Sequence, residues 1–418
     1  MGIDIGGLDA AIVAGFPGSF SSFWQQSGRA GRRQTESVVV FIASSSPLDQ
    51  FIITHPDYFF DRPHETAQID PENPYVLTDH VKCAAFELPF TDAELTSPHV
   101  QAAFPPETVE ILSALEEDGI VRHTAGRWHW SDRSFPSEGI SLRSATADNV
   151  VIVDITEGRN TVIGEMDRPS AKEMLFPNAV YIHLGRQYMV TLLDIPNRRA
   201  EVTEVEINYF TDGVVKTDIQ VLTEDSIVSY LPEKLSIAVG DILVRTQVAK
   251  FKKLRFHTHE NIGFGEIALD AEEMETRGVM LLLDNRFFPL HDMEGSGLDD
   301  ADLGEILSGM GTLMRSVAPV FLLCDSRDIG VWPRIRDLHF SGPVLYFFDR
   351  VPGGSGLADA FNESLPAIIQ ASIDQIQNCP CEYGCPSCIG VHSENPLIKS
   401  SAAGLLKNLV SGSPGDKN

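Results

Sequence analysis

Positively charged residues are scarce in this chain of 418 residues, which has 32 Lys and Arg against 59 Asp and Glu and a formal net charge of −27. A field of that sign repels phosphate, so any contact with nucleic acid must be a local basic strip. Apolar runs are short as well: none approaches the roughly 18 residues of a membrane helix, and no signal-peptide pattern opens the chain. We therefore expect a soluble, cytoplasmic protein with no membrane partner.

Cysteine is also rare, with six residues in the chain, too few for a disulfide framework at this length. Four of them lie between Cys379 and Cys388, a crowding that indicates a metal site rather than bridges. The composition is otherwise that of a globular protein, 43% hydrophobic and 22% charged, with room for about three domains.

Residues 1–56 have the pattern of an incomplete α/β domain. An apolar strand pattern follows Met1 at once, and a helical stretch at 19–28, a strand at 37–44 and a short helix come next. Two strands and two helices cannot form a stable sheet by themselves. The segment therefore predicts the end of a larger domain or a piece that packs on a partner.

Residues 57–136 predict a winged-helix-like domain, because three short helices precede a strand pair that turns at Ala125 and Gly126. Residues 137–256 predict an OB-like β-barrel from short β-branched runs broken by turns, although periodicity does not distinguish it from other small antiparallel barrels. Residues 257–418 mix helices with three apolar strands, VMLLLD, PVFLLCD and PVLYFFD, and are typical of an α+β zinc-binding domain. The expected fold class is multidomain α/β and β.

The strongest motif near the start is QQSGRAGRR, which places Gln25, Gly28, Arg29, Gly31 and Arg32 at the spacing Q-x-x-G-R-x-G-R. Two arginines three residues apart on one helix face can reach a single polyphosphate. An arginine beside a γ-phosphate stabilises the charge that develops during hydrolysis, and the glycines let the backbone approach closely. The motif favours phosphate-binding arginines over a solvated helix end.

Together with GIDIGGLDAAI upstream, this motif resembles motifs V and VI of the DEAD/DEAH-box helicases of superfamily two. The segments RPHETAQIDPENPYVLTDHVKCAAFELPF, IGEMDRPSAKEMLFPNAVYIHLGRQYMV and CPCEYGCPSCI resemble the MrfA type of repair helicase, which ends in an MrfA zinc-binding (MZB) domain. The resemblance implies ATP-driven 3′-to-5′ unwinding of DNA in repair, and the order RecA-like, winged helix, OB-like barrel, MZB. It also implies nucleotide contacts and, for Arg29 and Arg32, arginine-finger roles. The implied nucleotide-binding residues are Gly2, Asp4, Gln25, Gly28, Arg29 and Arg32.

The sequence departs from that family where ATP is bound. It has no G-x-x-x-x-G-K-[ST] loop for the phosphates and no D-E-x-H/D box for Mg²⁺. We expect that the chain alone does not hydrolyse ATP, and that ATP and Mg²⁺ bind only with an N-terminal helicase half, a partner chain if the gene is split. The alternative is a stand-alone zinc-containing nucleic-acid-binding module without ATPase activity.

Cys379, Cys381, Cys385 and Cys388 stand at the spacing C-x-C-x₃-C-x₂-C. Four thiolates within ten residues can surround one Zn²⁺, and the intervening Pro and Gly residues supply tight turns. Structural zinc is the favoured interpretation. The alternative is that the last three cysteines hold a [4Fe–4S] cluster, as in radical enzymes that use S-adenosylmethionine.

Two further sequence patterns, a glycine-rich loop and a set of aspartates, could form ligand-binding sites. The segment FFDRVPGGSGLADAF, with Gly353, Gly354 and Gly356, joins an apolar strand to a helix, where a DNA phosphate could bind, although tight packing explains the glycines equally well. Asp284, Asp325 and Asp349 each follow an apolar run, and Asp328 lies nearby. Clustered carboxylates could hold Mg²⁺ for phosphodiester cleavage, but such aspartates are more often caps.

Basic and aromatic residues alternate in RHTAGRWHW and in KFKKLRFHTH, a combination that suits single-stranded or 3′-tailed DNA. Lysines on an edge strand also prevent aggregation, so the second strip has a structural explanation too. The predicted DNA-contacting residues are Arg122, Arg127, Trp128, Lys250, Lys252, Lys253 and Arg255.

Overall fold

The computed structural model describes residues 8–31, 36–61, 70–140, 149–232, 234–284, 299–390 and 395–410. The helices are α1 (Phe20–Ser27), α2 (Pro47–Thr54), α3 (Asp57–Phe60), α4 (Pro74–Glu87), α5 (Asp92–Leu95), α6 (Pro98–Gln101), α7 (Thr108–Glu117), α8 (Arg168–Met174), α9 (Asp300–Val317), α10 (Pro319–Leu322), α11 (Leu357–Asn378) and α12 (Leu397–Val410). None of these helices combines the length and the apolar character needed to cross a membrane.

The strands are β1 (Ala10–Ala14), β2 (Val38–Ile42), β3 (Phe90–Thr91), β4 (Val121–Thr124), β5 (Arg127–Trp130), β6 (Asn149–Asp154), β7 (Thr161–Asp167), β8 (Val180–His183), β9 (Arg186–Asp194), β10 (Arg199–Val205), β11 (Tyr209–Val221), β12 (Ser226–Leu231), β13 (Leu235–Arg255), β14 (Asn261–Glu266), β15 (Glu272–Leu283), β16 (Ile329–Arg334) and β17 (Val344–Asp349).

The chain forms two compact units that are not continuous in sequence. Unit 1 contains residues 1–70, 221–242 and 276–418, and unit 2 contains residues 71–220 and 243–275. Strand β13 begins in unit 1 and ends in unit 2, so the units group the chain differently from the four domains expected from sequence. The boundaries 1–56, 57–136, 137–256 and 257–418 stay a prediction.

Unit 1 begins with a two-stranded parallel sheet, in which β1 pairs with β2 from Ala10 opposite Val38 to Ala14 opposite Ile42. Asp49, at the start of α2, ties the ends of these strands together, because its carboxylate accepts hydrogen bonds from the backbone N–H groups of Phe16 and Ser44. The helices that flank the sheet bury Phe20, Phe23, Phe51 and Ile52 in the core of this unit.

The larger part of unit 1 is an antiparallel sheet covered by helices. Strand β17 lies between β15 and β16, and all six of its residues are buried. Helices α9, α11 and α12 pack on one another, and the first two also contact β17. The four-cysteine loop packs against the same hydrophobic core.

Unit 2 contains a winged helix. Helices α4 to α7 precede the antiparallel pair β4 and β5, and β3 adds a third strand beside β5. The predicted turn is confirmed: Ala125 and Gly126 have φ values of 52° and 73°, the left-handed conformations of a tight hairpin. The core of this domain includes Val81, Leu112 and Trp128.

Unit 2 also contains a barrel-like sheet in the order β7-β6-β10-β9-β8. Its pairs are antiparallel except β6 with β10, which is parallel and corrects the expectation of a purely antiparallel arrangement. Phe176, just after α8, and Phe251, in the second half of β13, belong to its core, and their rings lie 5.0 Å apart.

One predicted strand is wrong. The run PVFLLCD, read as a strand, forms the helix α10, which Leu323 ends with a φ of 53°. Pro319 fits the first turn of a helix, and a short buried apolar run does not reveal its own secondary structure. The third strand of this region is instead β16, whose sequence IGVWPR was not predicted.

Candidate metal centre and nucleic-acid interface

The four cysteines predicted as metal ligands converge in the structure. The Sγ atoms of Cys379 and Cys385 are 3.4 Å apart, those of Cys379 and Cys381 3.5 Å, and those of Cys385 and Cys388 3.8 Å. A tetrahedron with Zn–S bonds of about 2.3 Å has edges of about 3.8 Å. The sulfur positions therefore fit a single zinc ion.

The same distances argue against the iron–sulfur alternative. All four sulfur atoms lie within 4.8 Å of one another, whereas thiolates that hold a [4Fe–4S] cluster each bind a different iron and are separated by the cluster itself. In the triad proposed for a cluster, the Sγ atoms of Cys381 and Cys388 are 3.5 Å apart. This spacing leaves room for one ion and not for four.

Helices hold the cysteine loop from two sides. Lys399 of α12 donates from Nζ to the backbone oxygens of Cys379, at 2.8 Å, and Cys381, at 2.5 Å. Gln375 of α11 donates to the backbone oxygen of Ser387 at 2.8 Å. Sequence analysis missed both residues, because neither belongs to a ligand motif and only the packing of the helices brings them to the loop.

The cysteines differ in acidity because they differ in surroundings. Burial raises the pKa of Cys388 and of Cys379. For Cys381 burial acts in the same direction, but hydrogen bonds from Cys388, Cys379, Cys385 and Lys399 outweigh it and lower the pKa to about 7. A cation beside the loop is favourable here, since four thiolates and one Zn²⁺ carry a net charge of −2.

The glycine loop before α11 is occupied by the chain itself. Asp349, at the end of β17, accepts hydrogen bonds from the backbone N–H and Oγ of Ser355 and from the backbone N–H of Leu357, the first residue of α11. Gly354 has a φ of +86°, and a Cβ there would lie 2.9 Å from Cβ of Arg277. A buried carboxylate therefore occupies the position where a phosphate could bind, and of the two explanations left open by the sequence the structure favours tight packing for the glycines.

The predicted carboxylate cluster is not formed. Among the residues the structure describes, the four cysteines are the only group of three or more metal-ligating side chains with ligand atoms close together. Asp325 caps the short turn Ser326–Asp328 and binds the guanidinium of Arg327, at 2.7 Å from Nη2. Asp325 is thus a cap, and the described residues do not support the phosphodiester-cleavage hypothesis.

The predicted nucleotide-contacting residues are described in part. Gln25 is exposed on α1, Gly28 follows the helix as its C-cap, and Arg29 is half-buried just beyond. A Cβ at Gly28 would lie 2.9 Å from the backbone oxygen of Trp24, so this position requires glycine. Gly2, Asp4 and Arg32 lie outside the described residues.

In the winged-helix hairpin the two arginines and the tryptophan have different surroundings. Arg122 and Arg127 are exposed. Trp128 is 7% exposed: His123 stacks on its ring at 4.2 Å, and its indole N–H donates to Asp92 at 3.1 Å. This burial corrects the expectation that Trp128 stacks on a base. The predicted contact of Arg122 and Arg127 with DNA stays a prediction.

The second basic strip lies on β13, which pairs with β14. Lys250 and Lys252 are paired with Glu266 and Phe264, whereas Lys253 lies over the ring of Tyr209 at 5.4 Å. Arg255, near the hairpin end, is exposed and 3.7 Å from Glu260. Since neighbouring residues of a strand face opposite sides, the strip divides between the two faces of the hairpin.

Comparison with known protein families gives two matches. Residues 310–389 match MZB, the MrfA Zn-binding domain, and residues 69–145 match the winged helix domain of ATP-dependent helicase HRQ1. The first includes the four cysteines, and the second covers the winged helix.

Individual proteins are similar over nearly the whole chain. The chain is 39% identical to the uncharacterized ATP-dependent helicase YprA of Bacillus subtilis over 98% of its own length and 52% of that protein. It is 29% identical to ATP-dependent helicase HRQ1 of Saccharomyces cerevisiae over 96% of this chain and 37% of the other. A crystal structure of the DUF1998 helicase MrfA bound to DNA matches with a TM-score of 0.61 and 38% identity, covering 97% of this chain and 52% of the other. The chain thus spans about half or less of the length of the relatives it matches.

Proposed function

Because the chain belongs with the MrfA-type helicases and resembles their C-terminal part, we propose that it acts as the C-terminal part of an ATP-dependent 3′-to-5′ DNA helicase in DNA repair. In this role it guides a DNA strand and supplies arginine fingers to an ATP-binding half. The observation that carries the proposal is similarity along 96–98% of the chain to helicases about twice its length or longer.

The parallel sheet of unit 1 supports an attachment to an ATP-binding half. Parallel sheets are normally covered on both faces, yet Ile12 of β1 is 69% exposed and Val38, Val40 and Ile42 of β2 are 57%, 45% and 53% exposed. Apolar strands with so much exposed surface are expected at the end of a larger sheet, where further strands or helices cover them. We infer that they close a RecA-like domain whose other strands belong to another part of the helicase.

The proposed residue roles come from the resemblance to motifs V and VI and from the two basic strips. Gln25, Gly28, Arg29 and Arg32, with Gly2 and Asp4, contact ATP and Mg²⁺ held mainly by the other half, and Arg29 and Arg32 stabilise the charge of the transferred phosphoryl group. Arg122, Arg127, Lys250, Lys252, Lys253 and Arg255 contact the DNA backbone. A zinc ion bound by the four cysteines would supply structural cross-linking of the loop and no catalytic chemistry, since all four ligand positions belong to protein.

ATP turnover tests the proposal. The chain alone should hydrolyse no ATP above background, with or without single-stranded DNA, and turnover should appear when the ATP-binding half of a similar helicase is added. In that complex Arg32→Ala should lower turnover by about 10³-fold or more, by the precedent of arginine fingers. DNA affinity should stay near normal.

Arg33→Ala is the matched control, because Arg33 is adjacent but outside the Q-x-x-G-R-x-G-R spacing. Equal losses in both variants would remove the arginine-finger role. Turnover by the chain alone would contradict the need for another half. If no ATP-binding half restores turnover while DNA still binds, the chain is a stand-alone binding module.

A further inference from the structure

The hairpin of β13 and β14 has one buried face and one exposed face. Phe251 is 3% exposed and packs in the barrel core, and its partner across the strands is Gly265. A Cβ at Gly265 would lie 2.3 Å from the Phe251 ring, so the ring occupies the place of a side chain there. The neighbouring pairs, which alternate with this one, therefore face outward.

The outward face combines an aromatic ring, two ammonium groups and one carboxylate, that of Glu266, which is paired directly with Lys250. Phe264 is 62% exposed and is paired directly with Lys252, and Lys250 follows two residues away on the same face. Directly opposed side chains on one face have Cβ atoms about 5 Å apart. Among the described residues, neither Lys250 nor Lys252 forms a salt bridge with an acidic side chain.

The flanking sequence leaves the ring accessible. Phe264 stands between Gly263 and Gly265 in the strand NIGFGE, so no neighbouring side chain on its own strand covers the backbone beside it. Within the described residues β14 pairs only with β13. A large exposed ring on an edge strand favours aggregation, and burial does not explain its presence.

We propose that Phe264 is a stacking platform for an unpaired base of single-stranded DNA, with Lys250 and Lys252 neutralising the adjacent phosphates. This inference rests on the proposed DNA-guiding function and identifies the form of DNA that the hairpin binds. An aromatic ring flanked by cations fits a single strand, whose base faces are open, and not a duplex, whose bases stack on each other.

Fluorescence anisotropy of a labelled oligo-dT with the whole chain, at several salt concentrations, tests the proposal. Phe264→Ala should weaken binding between about fivefold and a hundredfold, the range for loss of one base–aromatic stack. The dependence of affinity on salt should stay unchanged, because no cation is removed. Phe264→Tyr should bind like the parent chain.

The two lysines should affect the salt dependence of DNA binding, which the Phe264 substitution leaves unchanged. Replacing Lys250 and Lys252 by Gln should reduce the salt slope. Ile227→Ala is the control for loss of an exposed apolar side chain, since Ile227 is 52% exposed on β12, which pairs with the other half of β13. It should leave DNA affinity unchanged, and thermal unfolding should show that every variant folds.

The outcomes separate the two proposals. If the parent chain binds oligo-dT and Phe264→Ala binds equally well, the stacking platform is refuted while the DNA-guiding function stands. If the lysine replacement also leaves the salt slope unchanged, the strip serves only to protect a strand edge. If the parent chain binds no single-stranded DNA, both proposals fail.

Discussion

Strands β2 and β17 have similar amino-acid compositions and opposite surroundings. The first reads VVVFI and the second VLYFFD, but β2 has four exposed residues of five whereas β17 is buried throughout. Strand β17 has a neighbour on each side and helices packed on it, and Phe347 stacks on Phe361 of α11 at 4.3 Å. In the described residues β2 pairs only with β1. The difference shows that β17 belongs to a core that is complete in this chain, and it supports the proposal that β2 belongs to a larger sheet.

The largest expected effect concerns the four-cysteine loop, which packs against the hydrophobic core that contains β17. Cys385→Ser should abolish stoichiometric zinc binding and destabilise unit 1, because structural zinc sites contribute about 10 kcal/mol or more. Elemental analysis and thermal unfolding measure both effects. The winged helix should keep its secondary structure.

Cys83→Ser is the matched control for this prediction, since Cys83 lies on α4 and outside the cysteine cluster. It should retain one zinc per chain and normal stability. Iron with inorganic sulfide in a brown preparation would instead revive the cluster interpretation, and full stability of the Cys385 variant would make the metal peripheral.

An intermediate effect compares the two strands directly. Phe347→Ala should lower the free energy of unfolding by about 3–5 kcal/mol, because it leaves a cavity at a residue that is 1% exposed. Val40→Ala, at a residue 45% exposed, should cost no more than about 0.5 kcal/mol. Denaturant unfolding of the chain alone measures both.

The same pair of variants can contradict the difference inferred between β2 and β17. Equal losses would show that β2 is already packed in the chain alone, and the inference of a larger sheet would fail. If it holds, Val40→Asp should weaken association with an added ATP-binding half while the chain itself stays folded.

The smallest expected effect is on the pH dependence of stability, to which two buried aspartates, Asp337 and Asp349, contribute in opposite directions. Burial acts to raise the pKa of Asp337, but hydrogen bonds from Tyr346, from the backbone of Phe340 and His339, and from Arg334 outweigh it and lower the pKa. The stability it contributes is present above the unfolded-state pKa and is lost as the pH falls through the folded-state pKa. Asp337→Asn should flatten this acid-side loss.

The pKa of Asp349 is shifted in the opposite direction. Burial raises its pKa above the usual value, despite hydrogen bonds from Ser355 and from the start of α11. Its contribution is therefore fully present below the unfolded-state pKa and is lost as the pH rises through the raised folded-state pKa. Asp349→Asn should remove that loss, and denaturant midpoints between about pH 3 and 7 measure both variants. Identical pH profiles for the two would contradict the assignment.

Features that depend on neighbouring residues were predictable from the sequence. The four cysteines lie within ten residues, so their spacing alone indicated a metal site, with zinc favoured over an iron–sulfur cluster, and the Ala125-Gly126 turn followed from local backbone preference. Helix α1 was predicted at 19–28 and is found at Phe20–Ser27, where the hydroxyl of the N-cap Ser19 accepts a hydrogen bond from the backbone N–H of Ser22. Interactions between residues close in sequence contribute to each of these elements, which is why the sequence could predict them.

Features that depend on distant residues were decided only by the tertiary structure. The run PVFLLCD could be a buried strand or a buried helix, and packing made it α10. Asp349 fills the glycine loop, Lys399 reaches the cysteine loop from α12, and the burial of Trp128 contrasts with the exposure of Phe264. Sequence specifies which side chains are apolar, charged or metal-binding, but burial and long-range hydrogen bonds arise between segments far apart in the chain, so the fold alone determines which of them meet.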